Sequence, residues 1–257
     1  MNKGELPALI SLLDDPDQEV YNHIHQKILS FGIEAIPDLE DAWEHSFDLE
    51  LQQKIEQIIH TIQFEKVKQR LAEWCKNDAE NLLEGLLSIA LYQYPDLDEE
   101  KIKKLIDRIK KDIWLEMRKE MTALEKVKTI NYFLYDIYGF SGNTSNFHSA
   151  KNSFINDVVE SKKGNPLLLC CLYSIIAQSL SIPIYGVNLP EHFVLAYMDN
   201  FAVFGSSENE NGSDVLFYIN AFSKGTVFGK KKLITFYDSL NFSPNIVFTN
   251  LATILTL

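Results

Sequence analysis

The sequence predicts an α+β protein: a helical N-terminal region followed by a mixed helix and strand region. Over the first 130 residues apolar side chains recur at three- and four-residue spacing, the period of helices buried along one face. From Ile184 the apolar period shortens toward that of strands. No long flexible linker separates the two regimes, and the expected division is residues 1–120 and 121–257. With 257 residues and 46% hydrophobic content, the chain can bury one large core or two modest ones.

The elements follow in order. Leu6, Leu9, Ile10 and Leu13 form a short stripe, which Asp14-Asp15-Pro16-Asp17 breaks before Val20, Ile24, Ile28 and Leu29 mark a second helix. Asp14 or Asp15 is expected to cap that helix, because a short carboxylate reaches unpaired helix N–H groups, with Pro16 in its first turn. Phe31-Gly32 ends it, and Ile36-Pro37-Asp38 opens another that turns Leu39, Ala42 and Trp43 inward. This helix, break, helix pattern is similar to one or two units of a HEAT-like repeat. Amphipathic helices are then expected over 49–74, 78–92, 98–117 and 124–138, the last offering Val127, Ile130, Phe133, Leu134 and Ile137 to the core and closing at Gly139. Turn formers over 140–146 lead to a short helix through Val158, and a second loop, Ser161–Asn165, leads to a nearly uncharged helix from Pro166 to Ser179. Strands are expected at 184–187, 193–198, 201–204 and 215–219, with a polar tip or crossover at 206–214.

The net charge of −12 is unevenly spread: residues 1–150 hold 17 Lys/Arg and 28 Asp/Glu, against 7 and 8 in the remainder. An acidic face opposes the phosphate contacts that dominate nucleic-acid affinity, so a nucleic-acid partner is not expected. Lys230-Lys231-Lys232 reads as a charge cluster at a turn or helix end. Three cysteines, two of them adjacent, supply no framework of paired bridges. No apolar signal core stands at the start and no apolar run approaches the roughly 20 residues of a membrane span. A cytoplasmic protein without a membrane partner is the expectation.

The chemistry-bearing stretch is Gly164-Asn165-Pro166-Leu167-Leu168-Leu169-Cys170-Cys171-Leu172-Tyr173, followed by Leu189-Pro190-Glu191-His192-Phe193. A helix N-terminus lowers a thiol's pKa because its unpaired N–H groups favour negative charge. Pro166 holds the position that would use this field best, and it cannot be a nucleophile. Cys170 lies one turn deeper on the same helix face, whereas Cys171 points about 100° away, and apolar neighbours favour neutral thiols at both. His192 heads an apolar strand, where an imidazole can present one nitrogen to a cleft while another group orients the second. Asn220 could accept an imidazole hydrogen bond but cannot stabilise imidazolium by charge. No phosphate-cradling glycine loop and no zinc-hydrolase helix motif appears, so neither cofactor nor metal is expected.

Taken as a set, Asn131-Tyr132-Phe133-Leu134, Gly139–Asn143, Asn152-Ser153-Phe154, Lys163–Leu169, Leu172-Tyr173, Tyr185–Pro190 and His192-Phe193 resemble the SirB-type branch of the transglutaminase-like superfamily. The resemblance implies a papain-like domain with an antiparallel sheet, a nucleophilic cysteine at a helix start, a histidine on the following strand and an aspartate on the next. Carried over, these positions fall on Pro166, His192 and Asn220, so two of three members are absent. Proline at the first position is itself a trait of the branch; Leu168, Glu191 and Asn220 are departures particular to this chain. The retained polar positions Asn152, Asn165, Asn188, Glu191, His192 and Asn220 are candidates to line a groove, walled by Tyr185 and Tyr197. Related proteins include bacterial regulatory factors and components of ubiquitin-ligase adaptors. The expected function is a degenerate, non-catalytic regulatory or protein-binding module with a protein or peptide partner, the helical part supplying surface. Two alternatives stay open: a cysteine-dependent amide hydrolase or acyl transferase using Cys170, His192 and Asn220, and a scaffold without a cleft ligand.

Overall fold

The fold is given by a computed structural model that describes residues 5–77, 81–189, 192–198, 215–232, 235 and, as backbone, 247–248. The chain divides into two compact units, Met1–Glu73 with Leu91–Pro95, and Trp74–Ala90 with Asp96–Leu257. The sequence boundary at 120/121 falls later because the two helices before it share a core with the sheet: Leu83, Leu87, Ile106 and Ile113 are buried in one cluster with Leu172 and Leu195.

The first unit is built from α1 (Glu5–Ile10), α2 (Gln18–Leu29), a single 3-10 turn (Gly32–Ala35), α3 (Ile36–His45) and most of α4 (Leu49–Lys76). Its core gathers Leu6, Leu13, Ile24, Ile28, Leu39, Ile55, Ile58 and Ile62. The cap of α2 is Asp17 and not Asp14 or Asp15: its carboxylate accepts the Glu19 N–H at 2.8 Å, while Asp15 accepts the N–H of Asp17. Pro16 therefore sits in the Asx turn ahead of the helix. Trp43 also departs from its expected inward position; it is 39% exposed and its indole N–H donates to Glu56 at 2.9 Å.

The second unit contains α5 (Leu82–Gln93) as far as Ala90, α6 (Glu99–Glu116) and α7 (Ala123–Asn131). Asp98 caps α6 through the Lys101 N–H, and Thr122 with Glu125 forms a reciprocal capping box on α7. The helix expected to run on to Tyr138 instead widens into a π-turn over Tyr132–Ile137, where the Tyr138 N–H reaches the Phe133 carbonyl at 2.8 Å. The extra residue rotates Ile137 out of the core, leaving it 53% exposed. The short helix expected from Asn152 is a 3-10 turn (Ala150–Ser153) followed by α8 (Ile155–Ser161).

Two short parallel strands, β1 (Ser141–Gly142) and β2 (Lys163–Gly164), tie the two loops together directly before α9 (Pro166–Ser179). Among the described residues the main sheet has five strands in the order β6-β5-β4-β3-β7, all antiparallel: β3 (Ile184–Leu189), β4 (His192–Met198), β5 (Val215–Asn220), β6 (Thr226–Phe228) and β7 (Val247–Phe248). The strand expected at 201–204, the tip at 206–214 and residues 254–257 lie outside the described residues. Alternation along the strands sorts the two faces. Ile184, Leu195, Tyr197 and Ile219 join the core of α9, whereas Val187, Leu189, Val194, Ala196 and Tyr218 form a separate cluster on the other face.

Candidate functional site

The start of α9 is fixed by its own sequence. Asn165 has extended backbone and its side-chain oxygen accepts the Leu168 N–H at 2.7 Å, while Pro166 supplies a first helical residue whose missing N–H costs nothing. The Asn165 amide nitrogen donates to Ser153 Oγ at 2.8 Å, and its backbone N–H to the Asn152 carbonyl at 3.2 Å. Behind this, Asn152 is 3% exposed and wholly engaged: its amide donates to the carbonyls of Asn146 and Phe147, and its oxygen accepts from Asn143. Three asparagines thus hold the 143–152 loop against the helix start.

A cleft of about 480 Å³ opens at this point, with Phe147, His148 and Ser153 from the loop on one side and Asn188, His192 and Phe193 from the β3–β4 hairpin on the other. Asn165, Pro166 and Leu167 line it at the helix start. The structure therefore brings together Asn165, Pro166, Asn188 and His192. Glu191 lies outside the described residues.

The remaining candidates do not line this cleft. Asn152 is an internal brace and not a groove residue. Tyr197 is buried with its ring 5.2 Å from that of Phe217. Tyr185 is half-buried and faces away from α9, because its register partner is Ala196; burial raises its phenol pKa. Asn220 spends its side-chain oxygen on the Ser223 N–H at 3.1 Å, capping a turn rather than orienting an imidazole.

Cys170 has no exposed surface, and its sulfur lies 3.8 Å from the carbonyl oxygen of Phe193. Burial, with Cys171 adding to it, pushes its thiol well above the ordinary value, and burial pushes Cys171 up to about 12. His192 is the exposed first residue of β4, paired with Leu189, and shares the alternation of Val194 and Ala196 away from α9. Thus the strand's period places Phe193, and not His192, over the cysteine turn.

Below the cleft, a buried polar network ties α9 to the turn after β5. Tyr173 donates to Asn131 Oδ1 at 3.0 Å, Asn131 donates to the Gly225 carbonyl at 2.9 Å, and Tyr135 donates to the Ala221 carbonyl at 3.0 Å. Gly225 has φ +67°, and a Cβ there would overlap the Asn131 amide. Sequence reasoning missed this network and missed His148 and Phe147 in the cleft wall. The loop of turn formers ahead of Asn152 was the available signal for the wall; nothing local marked the network, whose partners lie 42 to 94 positions apart.

Among the described residues, no group of three or more His, Cys, Asp and Glu side chains is placed to hold a metal ion. No helix among them is long and apolar enough to cross a membrane.

A central helix that opens onto a groove and packs along an antiparallel sheet defines an α+β domain. The narrower assignment comes from the sequence family: the model of the transglutaminase-like superfamily matches residues 100–251, more than half of the chain, and the chain belongs to that superfamily. It is 32% identical over 114 residues to a UPF0162 protein of Xylella fastidiosa, covering 44% of this chain and 41% of that protein. A UPF0162 protein of Vibrio cholerae is 27% identical over 119 residues, covering 46% and 44%. Human F-box only protein 21 is 33% identical over 96 residues, 37% of this chain and 14% of that protein. The matches span less than half the length of these relatives. No solved structure gives a significant match.

Proposed function

We propose that the chain is a non-catalytic member of its superfamily, in the SirB-type branch, and works as a cytoplasmic regulatory module whose cleft takes an extended segment of a partner protein. The observation that carries this reading is the split between the two turns of α9. The residue at the helix start, facing the cleft, is Pro166, while the nearest thiol on that face, Cys170, is fully buried. Acyl transfer needs a nucleophile within hydrogen-bonding reach of its base, and Pro166 supplies none. The cleft retains what binding requires: apolar walls from Phe147, Leu167 and Phe193, and polar groups from Ser153, Asn188 and His192 that can meet a backbone. The likeness to F-box only protein 21, in which the matched stretch is 14% of the chain, supports a module that can be carried by proteins of different length.

The test is affinity capture from native extract with the full chain and with Leu167→Asp, which puts a charge into the half-buried cleft wall. A specific partner retained by the first and weakened roughly tenfold by the second is expected, the effect of removing a central apolar anchor. If every captured protein binds both equally, the cleft is not the binding surface.

A further inference from the structure

The first unit carries apolar side chains that its core does not use. At the corner between α3 and α4, Phe47 is 103% exposed, Leu49 74% and Trp43 39%. This corner is held in place by hydrogen bonds. Asp48 accepts the Glu50 N–H at 2.8 Å, Ser46 Oγ accepts the Asp48 N–H at 3.1 Å, and Gln52 donates to the carbonyls of Trp43 and Ser46 at 3.1 and 3.0 Å. Phe47 is therefore presented on a braced backbone, and presenting it costs apolar surface left in water. An aromatic held out to solvent on a braced backbone is suited to anchor an interface, since little backbone entropy remains to be lost on docking.

The charge around the corner selects the occupant. Between Lys27 and Lys54 the chain has no Lys or Arg, and Asp38, Glu40, Asp41, Glu44, Asp48 and Glu50 are all exposed. Among the described residues only one of these six meets a Lys or Arg side chain, Glu50 through Lys54, while Asp41 lies beside the His45 imidazole. A second copy of the chain docking by the same face would bring these carboxylates together, because a two-fold contact is self-complementary. Like charges brought face to face disfavour that contact. A partner with Lys and Arg flanking apolar side chains gains on both counts.

We propose that the α3–α4 corner is a docking surface for a basic amphipathic helix of a partner protein, with its apolar side on Phe47 and Leu49 and its cations against the surrounding carboxylates. This surface stands independently of the cleft reading.

The probe is a 20-residue Lys/Leu peptide in amphipathic helical register, with a Glu/Leu peptide of the same pattern as control, titrated into the full chain at physiological salt. Backbone amide shifts should move within residues 41–50, and the control should leave them in place. Phe47→Ser should weaken binding roughly tenfold, as loss of an interface anchor does. Glu40→Gln with Glu44→Gln should weaken it further and flatten its salt dependence. Phe47 is fully exposed, so its variant should keep the parent melting temperature. Binding that ignores Phe47→Ser would reduce the effect to unspecific charge attraction and overturn the proposal. Shifts confined to other residues, or equal binding of the Glu/Leu peptide, would overturn it too.

Discussion

The first turn of α9 borders a solvated cleft, whereas the second is sealed in the core, although one helical turn of rise, about 5.4 Å, separates them. At the first turn Asn165 and Pro166 satisfy the helix end from within the chain. At the second, Cys170 and Cys171 behave as small apolar side chains, their thiols held neutral by burial. The same residue type would have opposite chemistry at the two positions. Position relative to the helix end and to the cleft decides reactivity, and cysteine identity alone does not.

The sharpest way to break this contrast is to loosen the sealed part. Gly225→Ala forces a non-glycine residue into left-handed backbone and displaces the Asn131 amide, which also holds Tyr173. A loss of about 3 kcal/mol is expected, combining the backbone strain with the disrupted buried hydrogen bonds. Urea denaturation measures it; a change under about 0.5 kcal/mol, the range of neutral surface substitutions, would show that the network does not brace the core.

Asn165→Ala probes the first turn with a smaller effect. It removes the cap on Leu168 and the bond to Ser153, and should cost about 1 kcal/mol, the usual worth of an N-cap. Chemical shifts of residues 147–149 should move with it, because the loop and the helix start are held as one piece. If only the helix end responds, the loop is fixed by the side-chain bonds of Asn143 and Asn152 without Asn165.

The sequence disclosed much of this fold where local chemistry sets it. The helices expected from residues 98, 124 and 166 begin at Glu99, Ala123 and Pro166, where Asp98, Thr122 with Glu125, and Asn165 cap them. It misled where tertiary geometry intervened. Three aspartates near Pro16 can all cap, and only backbone geometry selects Asp17. Apolar spacing put Ile137 inside, but one extra residue in the π-turn rotated it out. The cleft was half legible: Asn165, Asn188 and His192 line it, while Asn152 and Asn220 proved to be backbone braces. An asparagine that binds a ligand and one that closes a turn look the same in one dimension.

The most direct test is thiol labelling of the native chain, read residue by residue by mass spectrometry from pH 7 to pH 9. Cys75 is exposed and serves as the internal reference for Cys170 and Cys171. Cys75 should label fully while Cys170 and Cys171 stay protected until denaturant is added. A Pro166→Cys variant should gain a site that labels faster than Cys75, since its thiolate would sit at the helix start. Cys170 labelling in the native chain faster than Cys75 would contradict the account and restore a thiol enzyme.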